Sequence, residues 1–293
     1  MDAPNPSVSP TFATSTPLHV GAIGLNVRDL DRVLAWYREV IGLAVLERRN
    51  GVARLGAGGL PLVELRQRDD LDSDDPHSAG LYHTAFLMPT RADLARWVLH
   101  IAQHRVPISG ASDHGVSEAF YLDDPEGNGV EVYSDRPPQA WDWRAGMVSM
   151  KTERLDVERI LTETGERGSF SGAPDGLRIG HIHLRVGDIE RGERFYRDAV
   201  GLDVTRRREG ASFMSSGGYH HHVALNVWQS AGAAARDPRR AGLAWFTLEA
   251  RDQAAWDGVQ QRLAAAGTNV TPQEGGFEAA DPWGTRVRLT RAN

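Results

Sequence analysis

The stretch at residues 24–43, GLNVRDLDRVLAWYREVIGL, decides how this chain is read. Its first residues continue a weakly alternating run from Leu18 to Val27, as a strand would. Asp29 then stands where a helix takes a side-chain cap. Leu30, Val33, Trp36, Tyr37 and Val40 share one face at helical spacing, and Gly42 supplies the stop. The same text returns at residues 183–202 as HLRVGDIERGERFYRDAVGL, with the aspartate, the aromatic pair and the closing Gly-Leu in register. An internal repeat of this kind fixes the architecture before any single element does.

Strand-like runs at 43–48, 53–56 and 60–65 follow the first helix, so one unit reads strand, helix, strands. A second copy begins with a strand at 80–88, uses Thr90 and Asp93 as a capping box for a helix through His104, and closes with strands at 119–122 and 129–133. A third has its strand at 179–186, its helix at 188–200 and its end near 223–228. A fourth has 243–248, 252–266 and 286–289. The closing segments also align: YLDDPEGNGVEVY at 121–133 matches AADPWGTRVRLT at 279–290. The expected fold class is therefore α+β, with four βαβββ modules curling in pairs into two half-barrel cups whose concave faces bury side chains or a ligand.

The expected organisation is a disordered tail over 1–16, rich in Pro, Ser and Thr, then an N-terminal domain over 17–134 with modules 17–68 and 80–134. A linker over 135–177 leads to a C-terminal domain over 178–293 with modules 178–230 and 241–291. In the linker, Trp141 and Trp143 are expected to pack against a barrel, and residues 155–163 to form a short helix. A connection this long is uncommon without a role, and its length lets copies pair out of chain order.

Composition narrows the chemistry. The chain has 293 residues, is 41% hydrophobic and 25% charged, and carries a formal charge of −6 with both signs interspersed. Nothing in it resembles a polyphosphate-binding surface, so nucleic acid is not an expected partner. No apolar run approaches the roughly 18 residues of a membrane span. Residues 1–17 lack the basic and apolar regions of a signal peptide, and a cytoplasmic location is expected. Cysteine is absent, which removes disulfides, thiolate nucleophiles and zinc–thiolate sites. A metal here must be held by His, Asp, Glu or water.

Aligned on their helix caps, the four copies place Ala22, His83, His181 and Trp245 at equivalent strand starts. The late carboxylate Glu131 of copy two is Arg288 in copy four. Copies two and three together supply His83, His181 and Glu131, whereas one with two, or three with four, does not. We therefore expect copies two and three to share a metal-bearing cup, within one chain or across a swapped dimer, and copies one and four to form an empty one. Two histidines and a carboxylate are the ligand set of octahedral ferrous iron with open positions. His183 lies two residues from His181 on the same strand face and is the alternative ligand. His114, Tyr121 and His221 add proton-handling groups. His220 and His222 are expected to face away from His221, and His19, His77, His100 and His104 to lie on the surface.

These motifs resemble the vicinal oxygen chelate superfamily of glyoxalases, bleomycin resistance proteins and extradiol dioxygenases, and most closely the bacterial CatE-type catechol 2,3-dioxygenases. DHGVSEAFYLDDPEGNGVEVY, at 113–133, is similar to the active-site stretch of those enzymes. LYHTAF and GHIHLRV are similar to their two ligand-histidine strands, and HHHVALN to the strand bearing their acid/base histidine. The resemblance implies a catechol-cleaving dioxygenase with His83, Glu131 and His181 as metal ligands and His114, Tyr121 and His221 as catalytic residues. It implies Fe(II), or Mn(II) or another divalent metal, as cofactor. An aromatic diol and O2 would be the substrates, and the reading allows a homo-oligomer. Two other readings stay open: a glyoxalase-type isomerase or thiol transferase, which tends to use a fourth protein ligand, and a non-catalytic antibiotic-binding protein.

Overall fold

The computed structural model describes residues 11–164 and 169–292. Two curled sheets hold most of the chain. One has nine strands, in the order Glu153–Arg154, Gly110–Asp113, Ser117–Asp123, Gly129–Asp135, Gly80–Leu87, Arg178–Arg185, Val223–Asn226, Ala211–Ser215 and Asp203–Arg208. The other has eight: Val270–Gln273, Gly276–Ala280, Arg286–Arg291, Gly242–Ala250, Leu18–Val27, Leu60–Gln67, Val52–Ala57 and Ala44–Arg49. Copies two and three thus share one sheet, and copies one and four the other. The chain halves 17–134 and 178–293 each give strands to both sheets.

One rule builds every copy. Its first strand pairs in parallel with its last, as Gly80–Leu87 does with Gly129–Asp135, and the helix makes the crossover that parallel pairing requires. Two copies then join antiparallel through their first strands: Gly80–Leu87 with Arg178–Arg185, and Leu18–Val27 with Gly242–Ala250.

The helices start by one repeated device. Asp29, Thr90, Asp188 and Asp252 each accept a hydrogen bond from the backbone N–H three residues on, a contact worth about 1 kcal/mol per cap. The first and third helices finish as π-turns, Tyr37–Ile41 and Arg194–Val200, stopped by Gly42 at φ +83° and Gly201 at φ +98°. The aromatic residues singled out by the repeat pack as expected for helix-to-sheet contacts. Tyr37, Trp97 and Tyr196 are fully buried, and the Trp97 indole donates to Val40 O at 2.8 Å, tying copy two to copy one.

Three expectations need correction. Residues 1–10 lie outside the described residues, but the rest of the proposed tail is structured. Ala13–Ser15 forms a 3-10 turn, and the buried Thr16 hydroxyl and the Ala13 carbonyl both meet His222 Nε2, at 3.3 and 3.0 Å. In the linker, Trp141 is buried, whereas Trp143 is 37% exposed, because it sits on a short outer hairpin with Met147–Val148. The linker helix spans Val157–Thr164. His19 is buried beside Glu249 at 3.5 Å and is not a surface residue.

Candidate metal centre

The shared sheet sets the side chains by register. His83 pairs with His183 across the antiparallel junction, and Ala85 pairs with His181. Glu131 lies beside Ala85 in the parallel neighbour and opposite Tyr121 in the antiparallel one. Directly paired residues share a face, so His83, His181, His183, Glu131 and Tyr121 all line one concave surface. Phe86 and Ile182 alternate to the opposite face and enter the main core.

His83, Glu131 and His181 converge, with one ligand atom from each lying within 4.8 Å of the other two. Glu131 Oε2 is 3.1 Å from His83 Nε2 and 3.2 Å from His181 Nε2. All three residues are buried, Glu131 to 2% exposure. The His83 approach is not aligned as a hydrogen bond, and His83 Nε2 is buried with no such partner among the described residues. An orphaned buried nitrogen facing a carboxylate costs free energy unless something else occupies the convergence point. Burial pushes His181 down to about 4 despite the pull of Glu131. Burial pushes the Glu131 carboxyl up, but the His181 imidazole, by charge and hydrogen bond, and the nearby His83 ring outweigh it and hold it well below the usual range. At neutral pH His181 offers a lone pair and Glu131 a full negative charge, which is the form a cation requires. The donor set fits a divalent metal.

His183 is otherwise engaged: the Asn226 amide sits 3.0 Å from its Nε2 and donates to it. That takes the lone pair and leaves His181 as the converging imidazole.

Register also identifies the equivalents of Glu131. It sits beside the residue two positions after His83. Two positions after Ala22, His181 and Trp245 are Gly24, His183 and Thr247, whose parallel neighbours are Glu64, Ala224 and Arg288. The fourth corner of the cup that holds His83, Glu131 and His181 is therefore the methyl group of Ala224; Asn226 lies two residues beyond it. The other cup reads Ala22, Glu64, Trp245 and Arg288. Glu64 was missed from sequence, although it is a lone carboxylate in the same late strand of copy one. It pairs with Arg54 at 3.0 Å and Arg66 at 3.2 Å. Arg288 pairs with Glu278 at 3.1 Å and lies 4.0 Å over the Trp245 ring.

The remaining candidates lie on the same cavity, of about 500 Å³. His114 Nδ1 faces Lys151 O at 2.7 Å and its Nε2 faces the Tyr121 hydroxyl at 2.6 Å. A carbonyl can only accept, so Nδ1 carries the proton and Tyr121 donates its own to Nε2. Burial, then the charge of Glu131, push Tyr121 well above its ordinary value and keep it a neutral phenol. The His221 ring lies 4.0 Å from the His181 ring. Burial, then neighbouring imidazoles, hold it far below the usual histidine range.

His220, His221 and His222 form the connection just before the strand Val223–Asn226, not part of it, so two-residue alternation does not apply. All three are buried: His221 faces the cavity, His220 meets Asp135 and His222 meets the N-terminal turn. Sequence reasoning also missed the linker's share of the cavity. Met150 and Thr152 line it, and Arg208 lines it too and donates to Met150 O. Tyr82 and the half-exposed Trp228 form its aromatic rim, with rings 5.3 Å apart.

A family model described as Glyoxalase/Bleomycin resistance protein/Dioxygenase superfamily matches residues 18–132 and 178–289, and the chain belongs to that superfamily. Catechol-2,3-dioxygenase of Bacillus subtilis (strain 168) is 37% identical over 269 residues, covering 90% of this chain and 94% of that protein. Biphenyl-2,3-diol 1,2-dioxygenase 3 of Rhodococcus globerulus is 31% identical over 143 residues, covering 42% of this chain and 67% of that protein. In fold, the crystal structure of glyoxalase I from Zea mays matches with a TM-score of 0.57 at 18% identity, over 96% of this chain and 94% of that one. Among the described residues no helix is long and apolar enough to cross a membrane.

Proposed function

We propose that this protein is an extradiol dioxygenase, cleaving the ring of a catechol-type diol next to its hydroxyl-bearing carbons with O2 and Fe(II). The observation that carries the reading is the donor set: two imidazoles and one carboxylate converge, and Ala224 stands where a fourth donor would complete the set. Three protein ligands leave positions for a diol and dioxygen together, whereas a glyoxalase-type site tends to add a fourth. The 37% identity to a catechol-2,3-dioxygenase supports the same reading.

His83, Glu131 and His181 would hold the iron, which when bound favours the ionised diol and brings it together with dioxygen. Tyr121 directs its proton at His114, so its oxygen is free to accept a hydrogen bond from a substrate hydroxyl. His221 lies across the cavity beside His181 and would act as general acid and base. The burial of the ligands and the cover given by Met150 and Phe213 limit water at the reacting carbons. In the overall reaction one ring C–C bond breaks, both atoms of O2 enter the product, and a ring-opened semialdehyde results.

The test is anaerobic reconstitution with Fe(II), followed by a panel of catechols with oxygen uptake and visible absorbance recorded together. A yellow product formed with one O2 consumed per diol supports the reading. Turnover of a methylglyoxal–thiol adduct without oxygen uptake would overturn it.

A further inference from the structure

A buried hydrogen-bonded chain runs behind the cavity. His220 is fully buried and stands between two partners. Its Nε2 is 2.9 Å from Asp135 Oδ1 and its Nδ1 is 2.8 Å from His221 Nδ1. Asp135 ends the strand that carries Glu131 and also accepts the Tyr219 hydroxyl at 3.3 Å. Trp141 of the linker packs on the His220 ring at 5.1 Å.

The chemistry of these partners fixes proton positions in sequence. A carboxylate only accepts, so His220 Nε2 carries a hydrogen. A neutral His220 then has an unprotonated Nδ1, and the short contact to His221 requires that His221 Nδ1 donate. The lone pair of His221 is thereby placed on Nε2, the nitrogen for which no protein partner is found among the described residues, on a ring that lines the cavity. We propose that Asp135 and His220 are positioning residues that fix the tautomer of His221, so that His221 meets the substrate through an accepting Nε2. The arrangement follows the logic by which a buried aspartate orients a catalytic imidazole, with a second imidazole interposed. The inference rests on the dioxygenase reading for its kinetic consequence and on geometry alone for the tautomer.

Two measurements test it. Long-range ¹H–¹⁵N NMR on the full-length, metal-free chain reads the tautomer of His221 directly. Oxygen uptake by the Fe(II)-loaded enzyme reads kcat and KM. The expected result is Nδ1–H at His221 in the native protein, and loss of that single tautomer in Asp135→Asn and His220→Phe. Those variants should keep their iron content and catechol KM and lose roughly ten- to a hundredfold in kcat. His220→Asn, whose amide oxygen can stand in for Nδ1, should restore the tautomer and most of the lost kcat, which a merely structural role would not produce. If Asp135→Asn fails to fold, the His220 pair carries the comparison. Nε2–H at His221 in the native protein, or an unchanged tautomer in both disruptive variants, overturns the proposal. If the native enzyme cleaves no catechol, the dioxygenase reading fails, and the NMR result still decides the tautomer.

Discussion

Glu131 and Ala224 hold the same place in successive repeats. Each lies on a last strand beside the residue two positions after an inward-facing histidine. One is a carboxylate on the cavity wall and the other a fully buried methyl group. That single difference separates a set of three converging donors from a set of four.

Ala224→Glu should therefore close the site. The added carboxylate reaches the fourth corner, so metal content should stay near that of the native protein while oxygen uptake with catechol falls by about a hundredfold or more. Elemental analysis and an oxygen electrode on one preparation check both halves. Undiminished cleavage would show that the fourth corner is not a coordination position.

His83→Ala and Glu131→Ala should each remove the metal. Either leaves two donors, and metal affinity depends on the full converging set. The expected outcome is metal content near zero after dialysis, with no ring cleavage. Full activity in either variant would refute the ligand assignment.

Tyr121→Phe should separate binding from turnover. The variant deletes the hydroxyl that donates to His114 at 2.6 Å and leaves the three donors intact. Metal content should hold, while kcat drops by roughly ten- to a hundredfold. Steady-state oxygen uptake measures this.

Glu64→Gln should change neither metal content nor cleavage. Glu64 is the positional twin of Glu131, but Arg54 and Arg66 occupy it. The variant should lose at most about 1 kcal/mol of stability, the usual scale of such partly exposed ion pairs. A fall in bound metal would instead place a second site in the other cup.

Low pH should destabilise the metal-free protein through buried neutral histidines. Burial pushes His222 down to about 3 and His181 to about 4, against about 6.5 in an unfolded chain. Unfolding at acid pH therefore takes up protons. Stability is whole above about pH 6.5 and falls as pH drops toward the folded values, by about 1.4 kcal/mol per pH unit for each such histidine. His222→Gln, whose amide can still donate to the Ala13 carbonyl, should flatten the dependence of Tm on pH between about 6 and 4. An unchanged slope counts against the role of His222.

The repeat made most of the fold legible. Asp29 and Asp188 cap equivalent helices, Gly42 and Gly201 stop them, and the same spacing brought His83, His181 and Glu131 into one list. The ligand ambiguity was not legible, because His181 and His183 differ only in what meets them across space: Glu131 for one and the Asn226 amide for the other. Periodicity also misplaced the histidine run. His220 to His222 precede their strand, where side-chain direction follows the turn and not an alternating pleat. Glu64 escaped notice because its neutralising partners, Arg54 and Arg66, are recognisable only once the strands are paired. The contribution of the linker, through Lys151 to His114, is a tertiary contact with no sequence signature.

The exchange of copies between sheets has a consequence for how the chain matures. The Ala22 amide donates to the Thr247 hydroxyl, 225 residues away in sequence, so the leading strand emerges from a ribosome long before its antiparallel neighbour is translated. The cup that gathers His83, Glu131 and His181 can assemble once the third repeat is out, but the opposite sheet must wait for nearly the whole polypeptide. Until then the first repeat carries an unpaired strand edge, the kind of surface that folding helpers guard and that two nascent chains can trade.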